Sequence, residues 1–502
     1  AVVFGAGVRV LELIRADFPL VAGGMFYTMV VDLQEAHYAL PAFTSYNHLG
    51  IPFAYPPLGF TLTGLLADLT RLPLLTLVQW QPLVANLLVL PIVYLLARQR
   101  LRAAPAAALV TFLFSLTPNT YWWQITGGGL TRSLGECFGF LTAYFALRMF
   151  QEKKNRWLIG TIVAGVLVVL SHPEWALQAA LASLLFGLRW GRDRSGLRNA
   201  LLVVLGVAAL SAPWWLTVIL QHGPGVFLHA GGATGSRWTF WTPLLALSFT
   251  GEPVAFLSVF ALAVAFLALA RREYFLPLWI LAALVSDPRG GVPFALLPLT
   301  VLAAGVVTDL VAPYFLRLRG READEWWHVL ELPIGKVFLG VLAVFCLANA
   351  YNASNTVSYQ VLGRGERQAL AWVAAETNPQ AAFLVLSGQS NPLHSPLLEW
   401  FPALAERHSL TTIQGREWLP GEAHYLVQLE RFPQAQACLY AGTDCLAEVE
   451  ALYGTTVDYV LVSQEYSILP VDDLPLVRVL GESDRYRLVH EEEGVRIFER
   501  IR

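Results

Sequence analysis

The chain has 502 residues, of which 56% are hydrophobic and only 14% charged, and its mean hydropathy is +0.52. Soluble domains carry about 25% charged residues, so this composition excludes them and indicates an integral membrane protein. The net charge of −3 hides a split: residues 1–353 hold 23 basic and 17 acidic side chains, and residues 354–502 hold 11 and 20. The acidic second part argues against nucleic acid as a partner, because phosphates require a basic surface.

The first residue is Ala rather than Met, so the start is either processed or not fully represented. Ala1–Ile14 is short for a span of about 20 residues. It reads as the tail of a first membrane helix, with a signal-peptide remnant as the alternative. A long, aromatic, proline-punctuated stretch follows, Gly24–Leu66, with few charges. A loop of that length beside a membrane points to function. This opening region, about residues 15–72, carries Asp17, Asp32, Glu35, His37, His48 and the run Tyr55-Pro56-Pro57-Leu58-Gly59, with a helix predicted over Met25–Ala36. The segment Leu58–Leu69 is too short to span and is expected to lie along the interface as a juxtamembrane helix.

Apolar stretches suited to spans occur near 73–97, 105–125, 134–150, 157–171, 174–190, 198–220, 253–270, 273–286, 292–315 and 334–353. Basic clusters at Arg98/Arg100/Arg102, Arg148/Lys153/Lys154/Arg156, Arg189/Arg192/Arg194/Arg198, Arg271/Arg272 and Arg317/Arg319/Arg321 fall at every second gap between them. The alternate gaps hold at most one arginine each: Arg132, Arg237 and Arg289. The positive-inside rule then puts the clusters in the cytoplasm and predicts about 11 spans in an inner (plasma) membrane. It places the opening loop, and everything after residue 353, outside. The expected fold class is a polytopic α-helical membrane protein with an extracytoplasmic mixed α/β domain over 354–502.

In that last part the pattern predicts a helix at Glu366–Thr377 and strands at Ala382–Leu386, Leu410–Ile413 and Asp458–Val462. A hairpin is predicted around Glu493-Gly494. Strands alternating with helices suggest a small α/β layer. Cys438 and Cys445 are separated by six residues including Gly and Asp, which suits a loop-closing disulfide in an oxidising compartment. A metal pair would need further ligands at matching spacing. Cys137 and Cys346 lie in spans as apolar fillers.

Polar groups collect at the predicted outer ends of spans. They are the opening-loop acids, Gly127-Gly128-Gly129-Leu130-Thr131-Arg132, His172-Pro173-Glu174, His222, His229 and Asp287-Pro288-Arg289. Ionisable groups at membrane depth are costly and default to function. His172-Pro173-Glu174 also fits a helix start, with proline and an acid in the first turn. The tryptophans Trp122, Trp123, Trp175, Trp214 and Trp215 suit an interfacial belt, with sugar stacking as the sharper alternative. Carboxylates with isolated arginines suit one chemistry. A carboxylate activates an acceptor hydroxyl or holds a metal that does so, and an arginine binds and stabilises a departing phosphate.

This layout resembles the GT-C superfamily of membrane glycosyltransferases: protein O-mannosyltransferases, aminoarabinose transferases and the catalytic subunit of oligosaccharyltransferase. Tyr55-Pro56-Pro57-Leu58-Gly59 matches the family's Pro-Pro-Leu element opening a juxtamembrane helix, and Ala369–Gly388 is similar to the start of the outer domain in oligosaccharyltransferase subunits. The family's tryptophan-rich acceptor motif is absent from the stretch that follows, Leu397–Trp418. The resemblance implies transfer of a sugar from a polyprenyl-phosphate-linked donor to an acceptor on the extracytoplasmic face. It implies a catalytic acid a few residues before Tyr27, where this chain has Val21, Ala22, Gly23 and Gly24. Asp17 and Asp32 are the nearest acids and become the catalytic candidates, as base or as ligand to a divalent cation (Mg or Mn). Arg289, then Arg132, are the phosphate candidates, with Tyr55, His172 and Glu174 completing the substrate-binding set. The partners implied are the lipid-linked donor and membrane lipids. The missing acid supports a second class of function, a non-catalytic GT-C-fold subunit of a membrane complex with a protein partner. A transporter is disfavoured, since no internal repeat is evident.

Overall fold

The computed structural model describes residues 1–101, 103–232, 256–286, 291–320, 325–358 and 360–501. The membrane part is built from α1 (Val2–Ile14), α2 (Gly24–Glu35), α3 (Leu58–Thr70), α4 (Leu74–Leu101), α5 (Ala104–Ser115), α6 (Gly129–Glu152), α7 (Asn155–Val169), α8 (Pro173–Trp190) and α9 (Arg194–His222). It continues with α10 (Gly225–Gly232), α11 (Phe256–Ala270), α12 (Phe275–Ser286), α13 (Gly291–Gly305), α14 (Ala312–Leu318) and α15 (Pro333–Val357). Among the described residues, four helices are long and apolar enough to cross a membrane: α4, α9, α15 and the continuous run Gly291–Leu318, in which a π-helical turn at Val306–Val311 joins α13 to α14. The predicted stretch 105–125 does not run through as one helix. It breaks after Ser115, because Thr117-Pro118 cannot continue it and Thr117 Oγ1 turns back to the Leu113 carbonyl.

A polar brace ties α1 into the bundle. Arg9 is fully buried; its Nε donates to Asn86 Oδ1 at 2.6 Å, Nη1 to the Gly5 and Ser115 carbonyls at 2.9 and 2.5 Å, and Nη2 to Thr120 Oγ1 at 3.2 Å. Asn86 Nδ2 donates in turn to Glu136 Oε2 at 2.6 Å, and Ser354 Oγ to Glu12 Oε2 at 3.2 Å. Arg9 also lies 4.4 Å over the Tyr121 ring. One forked cation thus holds α1, α4 and α6 together with the turn after α5, where an apolar chain would offer the carboxylates nothing.

The opening region is far more ordered than a loop. It holds α2, α3 and a two-stranded ribbon of β1 (Phe43–Thr44) and β2 (Ile51–Pro52). The C-terminal unit carries α16 (Arg364–Glu376), β3 (Ala382–Leu386), α17 (Pro396–Ala405), β4 (His408–Ser409), α18 (Tyr425–Ala437), α19 (Asp444–Tyr453), β5 (Tyr459–Ser463), α20 (Pro475–Gly481), β6 (Tyr486–Glu492) and β7 (Val495–Arg500). Its sheet order is β4-β3-β5-β7-β6, with β3 parallel to β4 and β5, and β7 antiparallel to β5 and β6. The hairpin turns at Glu493-Gly494, as its alternating flanks predict. Leu410–Ile413 is not a strand. The ladder ends at Ser409, and Thr411 and Thr412 then spend their hydroxyls on the Val385 and Leu398 carbonyls.

The opening region and the C-terminal unit share one core, in which Phe26, Met29, Tyr46, Phe53 and Phe60 pack with Phe383, Trp400, Phe401 and Ile497. Asn47 extends the sheet edge, since its amide donates to the Ser409 carbonyl and its Oδ1 accepts from Ser409 N.

Cys438 and Cys445 form a disulfide, with Cα atoms 5.7 Å apart. It closes a short loop, so Cys438→Ser is expected to cost about 2–3 kcal/mol by the loop-entropy relation. Thermal melting with and without reductant checks this: wild type should fall to the variant's value on reduction, and the variant should not respond.

Candidate active site

The N-terminal ends of α3, α6 and α8 meet beneath the C-terminal unit, and Tyr55, Arg132, His172 and Glu174, four of the residues singled out in the sequence, stand at or beside them. The Leu58 amide donates to the Leu170 carbonyl, fixing the start of α3 against the turn before α8. Tyr55 is placed by that junction. Its hydroxyl lies 3.4 Å from His172 Nε2, and its ring packs on Phe26, Phe60 and Trp418. His172 is buried and occupies the cap position of α8, with Pro173 and Glu174 in the first turn.

Arg132 stands in the first turn of α6. Its Nη2 donates to the Trp123 carbonyl at 3.1 Å and Thr126 Oγ1 at 2.9 Å, and its guanidinium covers the Trp123 ring at 4.4 Å. The glycine turn before α6 lets the opening region come close: a Cβ on Gly127 would fall 2.0 Å from the Ala22 carbonyl oxygen. Burial pushes the Tyr55 phenol up to about 12; Arg132 opposes that rise, while Glu174 and Glu417 add to it. Tyr55, Arg132, His172 and Glu174 are therefore brought together in one mixed-charge mouth.

Asp17 and Asp32 are placed otherwise. Asp17 is half-exposed and accepts from Arg367 Nη2 at 2.7 Å and Arg364 Nε at 3.4 Å, which joins the end of α1 to α16. Its hydrogen bond from Arg367 holds its carboxyl below the usual range. Asp32 accepts from Thr44 Oγ1 at 2.6 Å, Ser45 Oγ at 2.7 Å and Ser45 N at 3.1 Å, so it clamps the ribbon to α2. Arg289 lies outside the described residues, as does Arg237.

The C-terminal unit supplies groups that the sequence reading passed over. Glu399, on α17, is buried, and its Oε1 accepts from Gly23 N at 2.7 Å. Burial pushes its carboxyl up to about 7, opposed by the Gly23 amide and by Arg132 and assisted by Glu417. Arg132 thus acts on both Tyr55 and Glu399, and Glu417 with Trp418 closes the same mouth. The one signal available was an acid set inside an apolar run, Leu397-Leu398-Glu399-Trp400-Phe401. Among the described residues, no group of three or more His, Cys, Asp or Glu side chains is placed to hold a metal ion.

The arrangement is that of a helical membrane protein whose charged mouth is roofed by a small α/β unit. No protein-family model matches the chain, and no curated protein matches it in sequence. Solved structures do. ArnT from Cupriavidus metallidurans, bound to undecaprenyl phosphate, matches over 99% of this chain and 97% of its own, with a TM-score of 0.57 and 15% identity. The archaeal oligosaccharyltransferase AglB from Archaeoglobus fulgidus, in complex with an inhibitory peptide and a dolichol-phosphate, matches over 92% and 68%, with 0.55 and 15%. The arabinofuranosyltransferase AftD from Mycobacteria matches over 99% of this chain but 41% of its own, with 0.56 and 14%. The chain has the fold of these three proteins.

Proposed function

We infer that the protein is a membrane glycosyltransferase that moves a sugar from a polyprenyl-phosphate-linked donor to an acceptor at the extracytoplasmic face. In this reading residues 1–353 cross the membrane about 11 times, and residues 354–502 lie outside with the disulfide, as the arginine alternation predicts. The observation that carries it is the mouth itself: a positioned arginine beside a Tyr–His pair and several carboxylates, at the start of α6 and α8, under a GT-C fold. Arg132, and Arg289 with it, would hold the phosphate and stabilise it as the anomeric C–O bond breaks. Tyr55, His172 and Glu174 would orient the donor and acceptor. Asp17 and Asp32 would act as base or metal ligand only by giving up their present partners.

A non-catalytic subunit built on this fold is the second reading, and the structural bonds of Asp17 and Asp32 favour it. Undecaprenyl phosphate binding separates the two. The transferase reading expects wild type to bind it and Arg132→Ala to bind about 100-fold more weakly, the loss of a charge-assisted contact of about 2–3 kcal/mol. Equal binding by both proteins, or none by wild type, removes the reading.

A further inference from the structure

The geometry points to Glu399, delivered by the C-terminal unit, as the carboxylate that takes the acceptor's proton during transfer; this rests on the reading above. The acceptor's O–H proton passes to Glu399 as its oxygen bonds the anomeric carbon. The bond from that carbon to the phosphate oxygen breaks, and its electron pair stays on the polyprenyl phosphate that Arg132 faces. Glu399 then returns the proton to water.

The plainest role for this side chain is a cap on α2, whose first amides it meets. Local caps come from a neighbouring Ser, Thr, Asp or Asn, yet the cap position here is Gly23 and the acid reaches it from 376 residues away. Glycines make that reach feasible. Gly23 has φ +133°, and a Cβ on Gly24 would lie 2.3 Å from the Glu399 carbonyl oxygen. Gly23, which the carboxyl binds, abuts the turn that leads to Arg132: a Cβ on Gly23 would lie 3.0 Å from Gly127 C, and one on Gly128 3.2 Å from Arg132 Nη2, so the carboxyl sits beside the charged mouth as well as at the start of α2.

Two indoles line the same seam. Trp400 is fully buried, and its ring packs against Gly23, where an added Cβ would lie 3.0 Å from Cζ2. Trp418 is buried against Tyr55. Neither Nε1 has an acceptor among the described residues. A hydroxyl-rich sugar would offer both an acceptor. A carboxyl raised toward neutrality is also matched to proton abstraction near pH 7.

The test uses the full chain in detergent, a panel of undecaprenyl-phosphate-linked hexoses and pentoses, and glycerol in water as the hydroxyl acceptor, with release of undecaprenyl phosphate as the readout. Binding of undecaprenyl phosphate and thermal melting are measured in parallel. Wild type should release it at a rate that rises with pH through about 7, since the base must be deprotonated. Glu399→Gln keeps an acceptor for the Gly23 amide but cannot take the proton. Its rate should fall about 100- to 10,000-fold, with binding and melting unchanged. Glu399→Asp should retain a measurable rate with a displaced pH limb, and it decides the matter if Glu399→Gln does not fold. A near-wild-type rate in Glu399→Gln, or a pH-independent wild-type rate, overturns the base. So does a wild type that binds undecaprenyl phosphate but releases it from no donor, which leaves the donor reading standing. A wild type that does not bind it fails the donor reading and this proposal together.

Discussion

Arg9→Ala is expected to lower the stability of the membrane part by about 3–5 kcal/mol, the cost of breaking a buried ion network by removing one partner. Four hydrogen bonds leave with the guanidinium, and Asn86, Thr120 and two backbone carbonyls lose their donor. Glu136 and Glu12 then keep buried carboxyl oxygens with no cation near them, in surroundings where water cannot substitute. Arg9→Lys should recover little, because a single ammonium cannot reach acceptors on α1, α4 and the turn after α5 together. The sharper check is the pair Arg9→Met with Glu136→Gln, which removes cation and anion at once and should melt above Arg9→Ala. Unchanged melting of Arg9→Ala in detergent would show that the network holds nothing together.

Gly24→Ala separates two opposed effects. Alanine is the better helix former by about 1 kcal/mol, so propensity alone predicts a more stable α2. The added methyl, however, would sit 2.3 Å from the Glu399 carbonyl oxygen and 3.0 Å from Trp400 Cα, both on the backbone of α17. Neither can swing aside like a flexible side chain, so the seam between α2 and α17 must open. Overpacking of this kind costs about 1–3 kcal/mol or more, and sterics are expected to win by about 2 kcal/mol. Hydrogen exchange should then quicken in both α2 and α17, and the Gly23–Glu399 bond should be lost with transfer activity. A rise in melting temperature would mean that propensity wins and the seam is loose.

Local elements were legible because they are written in short windows. The Pro-Pro-Leu run opens α3 at Leu58, as a fixed φ at a helix start dictates. Ala382–Leu386 is a strand because five apolar residues, Phe383 and Val385 among them, sit between turn signals. Periodicity fails where side chains satisfy the backbone instead: Thr411 and Thr412 end the ladder early, and Thr117-Pro118 ends a run that hydropathy alone extends to residue 125.

The site divides in the same way. Composition, arginine spacing and a few motifs determined that the chain is a membrane protein. They also selected Tyr55, Arg132, His172 and Glu174, which the fold gathers into one mouth. Those signals lie within a few residues of helix starts, where hydropathy changes sharply. Only the tertiary structure decided which carboxylates belong there. Asp17 and Asp32 flank the expected position in sequence but are held by Arg367 and by Thr44 and Ser45. Glu399 and Glu417 lie far along the chain and reach the mouth because the opening region and the sheet unit bury a common core. A carboxylate's neighbours are set by packing across hundreds of residues, and no local pattern encodes that distance.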